Sequence, residues 1–348
     1  MLRLSDYDYH LPKELIANAP ASPRDSARLF VYDTKTDTVI LDAFKNIEKH
    51  LPRPALLVFN DTKVVPARLW LTKETGGKIE VLLLMNEYNP NDPLIKGIAD
   101  RKLLPGMTLF FRSGAELSVV KQEEQFFFFR PSVSVPMLWK LLDQEGRTPI
   151  PPYIKHTKLS ERMLRERYQS VFARARASVA APTASLHFTK KLIARLTKDG
   201  IAHAEITLHV GLGTFAPIDE KNIAEKKLFS EHFEVTQKSA EAINRAKISG
   251  VPVIPVGTTA MRTLESAARK NAILPGARTT NIFIYPPHEF QIADGLITNF
   301  HVPKSSLMLL VDAFLKHKKT KRDILALYSI AIKEKFRFYS FGDGMFIR

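Results

Sequence analysis

Apolar positions in the first 130 residues alternate with polar ones or form short continuous runs, and turn residues separate the runs. That pattern predicts strands rather than helices. Residues 28–33 and 38–41 predict a hairpin, and residues 55–60 (ALLVFN) a buried strand. Between residues 66 and 130 further strands are predicted at 79–85, 107–112, 117–121 and 125–130, broken by Thr75-Gly76-Gly77, Asn89-Pro90-Asn91 and Ser113-Gly114. Strands of this length and spacing suit a small β-barrel. The four phenylalanines 126–129 read as a buried core strand rather than a stacking platform for bases.

After Gly146 the period changes. Residues 149–153 (PIPPY) form a rigid extended segment, because proline fixes φ and restricts the residue before it. An arginine-rich helix is expected at 160–176. Strands at 204–210, 231–235, 251–256 and 281–285 then alternate with helices at 190–199, 237–249, 259–270, 305–316 and 321–335. Such alternation predicts an α/β fold. The expected architecture is mixed α+β: a discontinuous α/β main domain, residues 1–65 and 149–348, with an all-β barrel domain inserted at 66–148.

Composition narrows the chemistry. The 348 residues contain no cysteine, which excludes disulfides, thiolate nucleophiles and cysteine-held clusters. The ten histidines show no HExxH or HxH spacing, so no metal is expected. No run approaches the ~18 apolar residues of a membrane span, and the first twenty residues lack the apolar stretch of a secretion signal. A cytoplasmic protein without membrane contact is expected. Lys and Arg total 51 against 36 Asp and Glu, a net charge of +15 that favours a polyanionic partner.

Four segments concentrate candidate chemistry. Residues 178–189 (SVAAPTASLHFT) bring small residues to Thr183, His187 and the helix-opening Thr189. Residues 207–215 (TLHVGLGTF) place His209 near a strand end, before Gly211, Gly213 and Thr214. Residues 256–266 (VGTTAMRTLES) set Thr258 and Thr259 at a helix start with Arg262 one turn in, a pattern suited to an anion. Residues 297–306 (ITNFHVPKSS) supply Asn299 and His301, and Asp343 lies between two glycines near the end of the chain. No GxGxxG and no Walker-type GxxxxGK[ST] occurs. Each segment also has a plain structural reading as a capped helix, a glycine turn or an Asx turn.

These segments, with DYDYHLPKELIA (6–17), PRDSARL (23–29), VFNDTKVVPARL (58–69), TGGKIEVLLL (75–84), ERYQSVFA (166–173) and FYSFGDGM (338–345), resemble the S-adenosylmethionine:tRNA ribosyltransferase-isomerase family of queuosine biosynthesis. The resemblance runs through the whole chain. It implies an α/β domain with an inserted barrel, S-adenosylmethionine as ribosyl donor, no metal, and a tRNA carrying 7-aminomethyl-7-deazaguanine at the wobble position. A monomer is expected.

Histidine suits the proton transfers such chemistry needs, so His187 or His209 is the expected base, with Asp343 or Glu231 assisting adenine departure. Thr183, Thr189, Gly211, Gly213, Thr214, Thr258, Thr259, Arg262, Asn299 and His301 are the expected ligand contacts; Arg262 with Thr258 and Thr259 would hold the methionine carboxylate. Arg162, Arg165, Arg167 and Arg174 are expected on the tRNA. Ala177 and Ser185 stand where the family has glycines, and Lys63 where it has arginine. Residues 226–229 (KKLF) replace a histidine-rich motif, and 98–103 lack an Arg-Pro start. The alternatives are a tRNA-binding relative without catalysis, or a nucleoside-transfer enzyme acting on a small substrate.

Overall fold

A computed structural model describes residues 2–154, 157–214 and 218–348; the side chain of Thr214 lies outside the described residues. Nine strands form one mixed sheet in the order Gly276–Ile282, Lys227–Val235, Ile201–Leu208, Ala55–Asn60, Val253–Val256, Leu296–Asn299, Gly344–Ile347, Arg28–Asp33 and Thr38–Ala43. The four central strands, Ile201–Leu208 to Leu296–Asn299, run parallel to their neighbours in that group. Ala55–Asn60 and Val253–Val256 are buried at every position, as strands covered on both faces must be.

The inserted unit is a closed six-stranded barrel, its strands lying between Arg68–Lys73 and Phe126–Pro131. Phe126, Phe127 and Phe129 are buried in it, as the sequence suggests, while Phe128 is half-buried under the Lys121 ammonium, 4.3 Å from the ring centroid. The insertion is not purely β. Helix Val135–Glu145 closes the barrel with Leu138, Leu141 and Leu142, a helical spacing the strand-rich context obscures. Gly146 ends this helix against the chain: a Cβ there would lie 1.8 Å from the Pro66 carbonyl oxygen.

Two local expectations need correction. The arginine-rich helix spans only Glu161–Arg167, because Tyr168 turns into an apolar cluster with Ala181, Leu186 and Phe341. The chain then pairs as strand Ala175–Ser178 with Thr62–Val64. Residues 344–347, to which the sequence reading assigns no strand, form an inner strand of the main sheet directly after the Asp343 turn, parallel to Arg28–Asp33 and antiparallel to Leu296–Asn299. The helix starts are as expected where a side chain caps them: Thr189 accepts from Leu192 N–H, and Ser305 from Met308 N–H.

Candidate active site

A cavity of about 380 Å³ opens at the carboxyl ends of the central parallel strands, where α/β sheets place ligands. Its wall comes from the turn after Val253–Val256, the end of Leu296–Asn299, the 181–184 segment and Tyr339-Ser340. Thr183, Thr258, Thr259, Asn299 and His301 line it. Gly257 precedes helix Thr258–Ala267 with φ of +94°, a conformation that favours glycine, and no side chain caps that helix start. Its first N–H groups are therefore free of a capping side chain beside the cavity.

Hydrogen bonds fix these groups from behind. Asn60 is fully buried and donates from Nδ2 to Thr259 Oγ1 (3.2 Å) and to the Leu208 carbonyl (3.0 Å). Its Oδ1 accepts from the Thr62 and Leu208 N–H groups. Asn299 Oδ1 accepts from Thr183 Oγ1 at 3.0 Å, and Nδ2 faces His187 Nε2 at 3.1 Å and the Asp343 carbonyl at 3.3 Å. These partners are distant in sequence, which is why pattern alone does not reveal Asn60 as part of the site.

Two imidazoles differ in place. His301 lines the cavity, with Nε2 3.3 Å from Thr298 Oγ1 and Nδ1 3.3 Å from the Tyr328 hydroxyl. Burial pushes its pKa down to about 3. His187 lies outside the cavity lining, packed on Phe44 and joined to the cavity through Asn299. Burial pulls its pKa down to about 4 against the opposing charge of Asp343.

An unfolded histidine titrates near ~6.5, so on acidification the unfolded chain takes up these protons first. Stability is therefore expected to fall progressively below about pH 6.5, by roughly 3 kcal/mol per imidazole near pH 4, where the folded His187 also protonates. Urea midpoints at about pH 7 and about pH 4.5 check this; equal midpoints contradict it.

The other expected residues fall elsewhere. His209 contacts Thr62 Oγ1 through Nδ1 at 2.9 Å and faces a separate groove of about 390 Å³ beside His232 and Arg278. Burial lowers its pKa, with Asp61 opposing. Asp343 is fully buried and accepts from Arg28 N–H and from the main chain and guanidinium of Arg337. Glu231 and Arg262 form a buried ion pair, and Glu231 Oε1 also accepts from Gly211 N–H at 3.0 Å. Arg262 Nε and Nη2 are buried without a partner among the described residues. Thr189 caps its helix and donates to Asp25. A Cβ on Gly213 would lie 2.8 Å from the Phe229 Cβ, so close packing rather than positive φ requires that glycine.

Neither Ala177 nor Ser185 adopts positive φ, so their side chains cause no backbone strain. Lys63 is exposed. Among the described residues no group of three or more His, Asp or Glu is arranged to hold a metal, and no helix is long and apolar enough to cross a membrane.

Of the arginines, Arg162 is exposed and Arg167 half-buried, both without an ion-pair partner among the described residues. Arg165 instead bonds Glu161 and the Asp143 and Gly146 carbonyls, capping the barrel helix. Arg174 is exposed but paired with Asp61 and Glu205.

The fold is thus an α/β sheet with a cavity at its strand ends, joined to a closed β-barrel. Comparison with known proteins gives the family: residues 4–347 match the model of the queuosine biosynthesis proteins, and the chain belongs to that family. It is 44% identical to the S-adenosylmethionine:tRNA ribosyltransferase-isomerase of Carboxydothermus hydrogenoformans, covering 99% of this chain and 100% of that one. The Fusobacterium nucleatum enzyme of the same name is 43% identical over 99% of this chain and 96% of its own. The crystal structure of S-adenosylmethionine tRNA ribosyltransferase from Thermotoga maritima matches with a TM-score of 0.54 and 31% identity, covering 99% of this chain and all of that one.

Proposed function

We propose that this chain transfers and isomerises the ribosyl moiety of S-adenosylmethionine onto 7-aminomethyl-7-deazaguanine at the tRNA wobble position. The products are epoxyqueuosine in tRNA, adenine and methionine. The observation that carries the reading is the strand-end cavity, in a chain 44% identical along its length to an enzyme of that name. At about 380 Å³ the cavity is within the range of cosubstrate sites, and its lining mixes apolar side chains with a few polar groups.

The sulfonium acidifies the C5′ hydrogens of the donor, so a neutral base beside it starts the reaction. His301 is our choice over His187 and His209, because it alone of the three lines the cavity. Both ring nitrogens face hydroxyls at 3.3 Å, Nδ1 that of Tyr328 and Nε2 that of Thr298, and the base role requires the tautomer with its proton on Nδ1. His187 then positions Asn299. The free N–H groups after Gly257 suit the methionine carboxylate, and Arg262, outside the cavity lining but one turn along the same helix, holds two unused donors for it. Adenine departure needs a proton donor, and Glu231, already bound to Arg262 and Gly211, and Asp343, already bound to Arg337, are less available for it than the sequence suggests.

The tRNA is held through its phosphates. Arg162→Glu and Arg167→Glu are each expected to weaken tRNA binding and to reduce its log–log salt slope by about 1. Arg165→Glu is expected to lower stability as well, because that guanidinium caps helix Val135–Glu145. Unchanged slopes in the first two variants remove this helix from the interface. The function itself is tested by adenine release from S-adenosylmethionine in the presence of the modified-base tRNA.

A further inference from the structure

We propose that Asn86, carried by the barrel, reads the lactam edge of the wobble base, so that the inserted barrel completes the site instead of only presenting charge to the RNA. This rests on the function proposed above. Asn86 lies in the 3₁₀ turn Met85–Glu87, directly after barrel strand Lys78–Leu83, and is 3% exposed. Neither its Nδ2 nor its Oδ1 has a hydrogen-bond partner among the described residues. A buried carboxamide with both groups unbonded destabilises the fold, and an apolar side chain of the same size would not.

The surroundings supply the second half. A Cβ on Gly211 would stand 2.6 Å from Asn86 Nδ2 and 3.9 Å from Glu231 Cγ, so the glycine lets the barrel turn press on the 211–213 loop. Glu231 bonds Gly211 N–H on one side and Arg262 on the other. Arg262 itself keeps Nε and Nη2 buried and unpartnered, one turn into the helix that borders the cavity. Two side chains from two different domains thus hold unused polar atoms on either side of one glycine–carboxylate contact.

A carboxamide presents a donor beside an acceptor in one plane. Its complement is a lactam: Nδ2 donates to the ring carbonyl oxygen and Oδ1 accepts from the adjacent ring N–H. The deazaguanine of the tRNA carries that edge. Adenine also pairs with a carboxamide, through N6 and N7, but the adenine belongs to the donor bound in the cavity, which Asn86 does not line. Admitting a base here requires the barrel turn and the 211–213 loop to separate, and the unbonded carboxamide favours that separation.

Asn86→Leu tests the proposal. The expected result is a fall of about 10- to 100-fold in kcat/KM for the modified-base tRNA, with unchanged S-adenosylmethionine affinity and an equal or higher unfolding midpoint. Asn86→Asp keeps the shape, removes the donor and is expected to show the same fall. Unchanged kcat/KM with a raised midpoint overturns the proposal, and a matching loss of S-adenosylmethionine affinity assigns Asn86 to adenine and overturns it too. A binding arm separates this from the proposed function. Wild type is expected to bind a stem-loop with deazaguanine at the wobble more tightly than one with adenosine, and Asn86→Leu to bind both alike. That difference is readable without turnover; if wild type shows no preference, the proposal fails whatever the activity.

Discussion

His301→Ala is expected to lower turnover by about 10²-fold, the low end of a positioned general base's contribution, because burial leaves this imidazole a weak base. The imidazole lines the cavity between Thr298 and Tyr328, and burial keeps it neutral down to about pH 3. Turnover is therefore expected to show no inflection from this group at neutral pH, since the neutral form loses ground only as the pH falls through that value. His301→Gln preserves hydrogen bonding but cannot take the proton, and is expected to remain as slow as the alanine variant. His187→Ala removes only the partner of Asn299 and is expected to cost less. Near-normal turnover in both His301→Ala and His187→Ala would move the base elsewhere, with His209 the next histidine to examine.

Glu231→Ala is expected to destabilise the protein by about 3–5 kcal/mol, because it leaves the Arg262 guanidinium buried without its carboxylate. The contact also ties Gly211, beside the barrel turn, to helix Thr258–Ala267, so its loss is expected to loosen the packing of that turn on the 211–213 loop. Replacing both partners by apolar residues, Glu231→Leu with Arg262→Met, is expected to recover most of that stability, since no charge is then buried alone. The same double variant is expected to lose affinity for S-adenosylmethionine, because the two donors available to the carboxylate go with the arginine. Denaturant midpoints and equilibrium binding separate the two effects. A double variant that binds the donor normally would remove Arg262 from the site.

Much of the frame was legible because local chemistry fixed it. Thr189 and Ser305 cap helices close to where the sequence starts them, whereas the last helix, expected from residue 321, begins only after its cap Asp323. The barrel follows from alternating strands with turn clusters between them, and Thr258, Thr259, Asn299 and His301 sit together at strand ends as the α/β pattern suggests. What the sequence hid depends on partners far along the chain. Asn60 meets Thr259 across 199 residues, and Tyr7 meets Asp312 across 305. Arg165 and Arg174 read in sequence as cations open to RNA, but the Asp143 carbonyl and the carboxylates of Asp61 and Glu205 lie opposite them. The strand Gly344–Ile347 is hidden because its one glycine, which reads as a turn residue, is needed for close packing: a Cβ on Gly344 would lie 2.7 Å from the Phe44 ring.

The most direct test is adenine release from S-adenosylmethionine, measured with no RNA, with unmodified tRNA, and with tRNA carrying 7-aminomethyl-7-deazaguanine. Stoichiometric adenine, appearing only with the modified tRNA and matched by ribosyl transfer to it, is the result expected. Tight binding of that tRNA with no adenine released would contradict the proposed catalysis and leave a tRNA-binding relative.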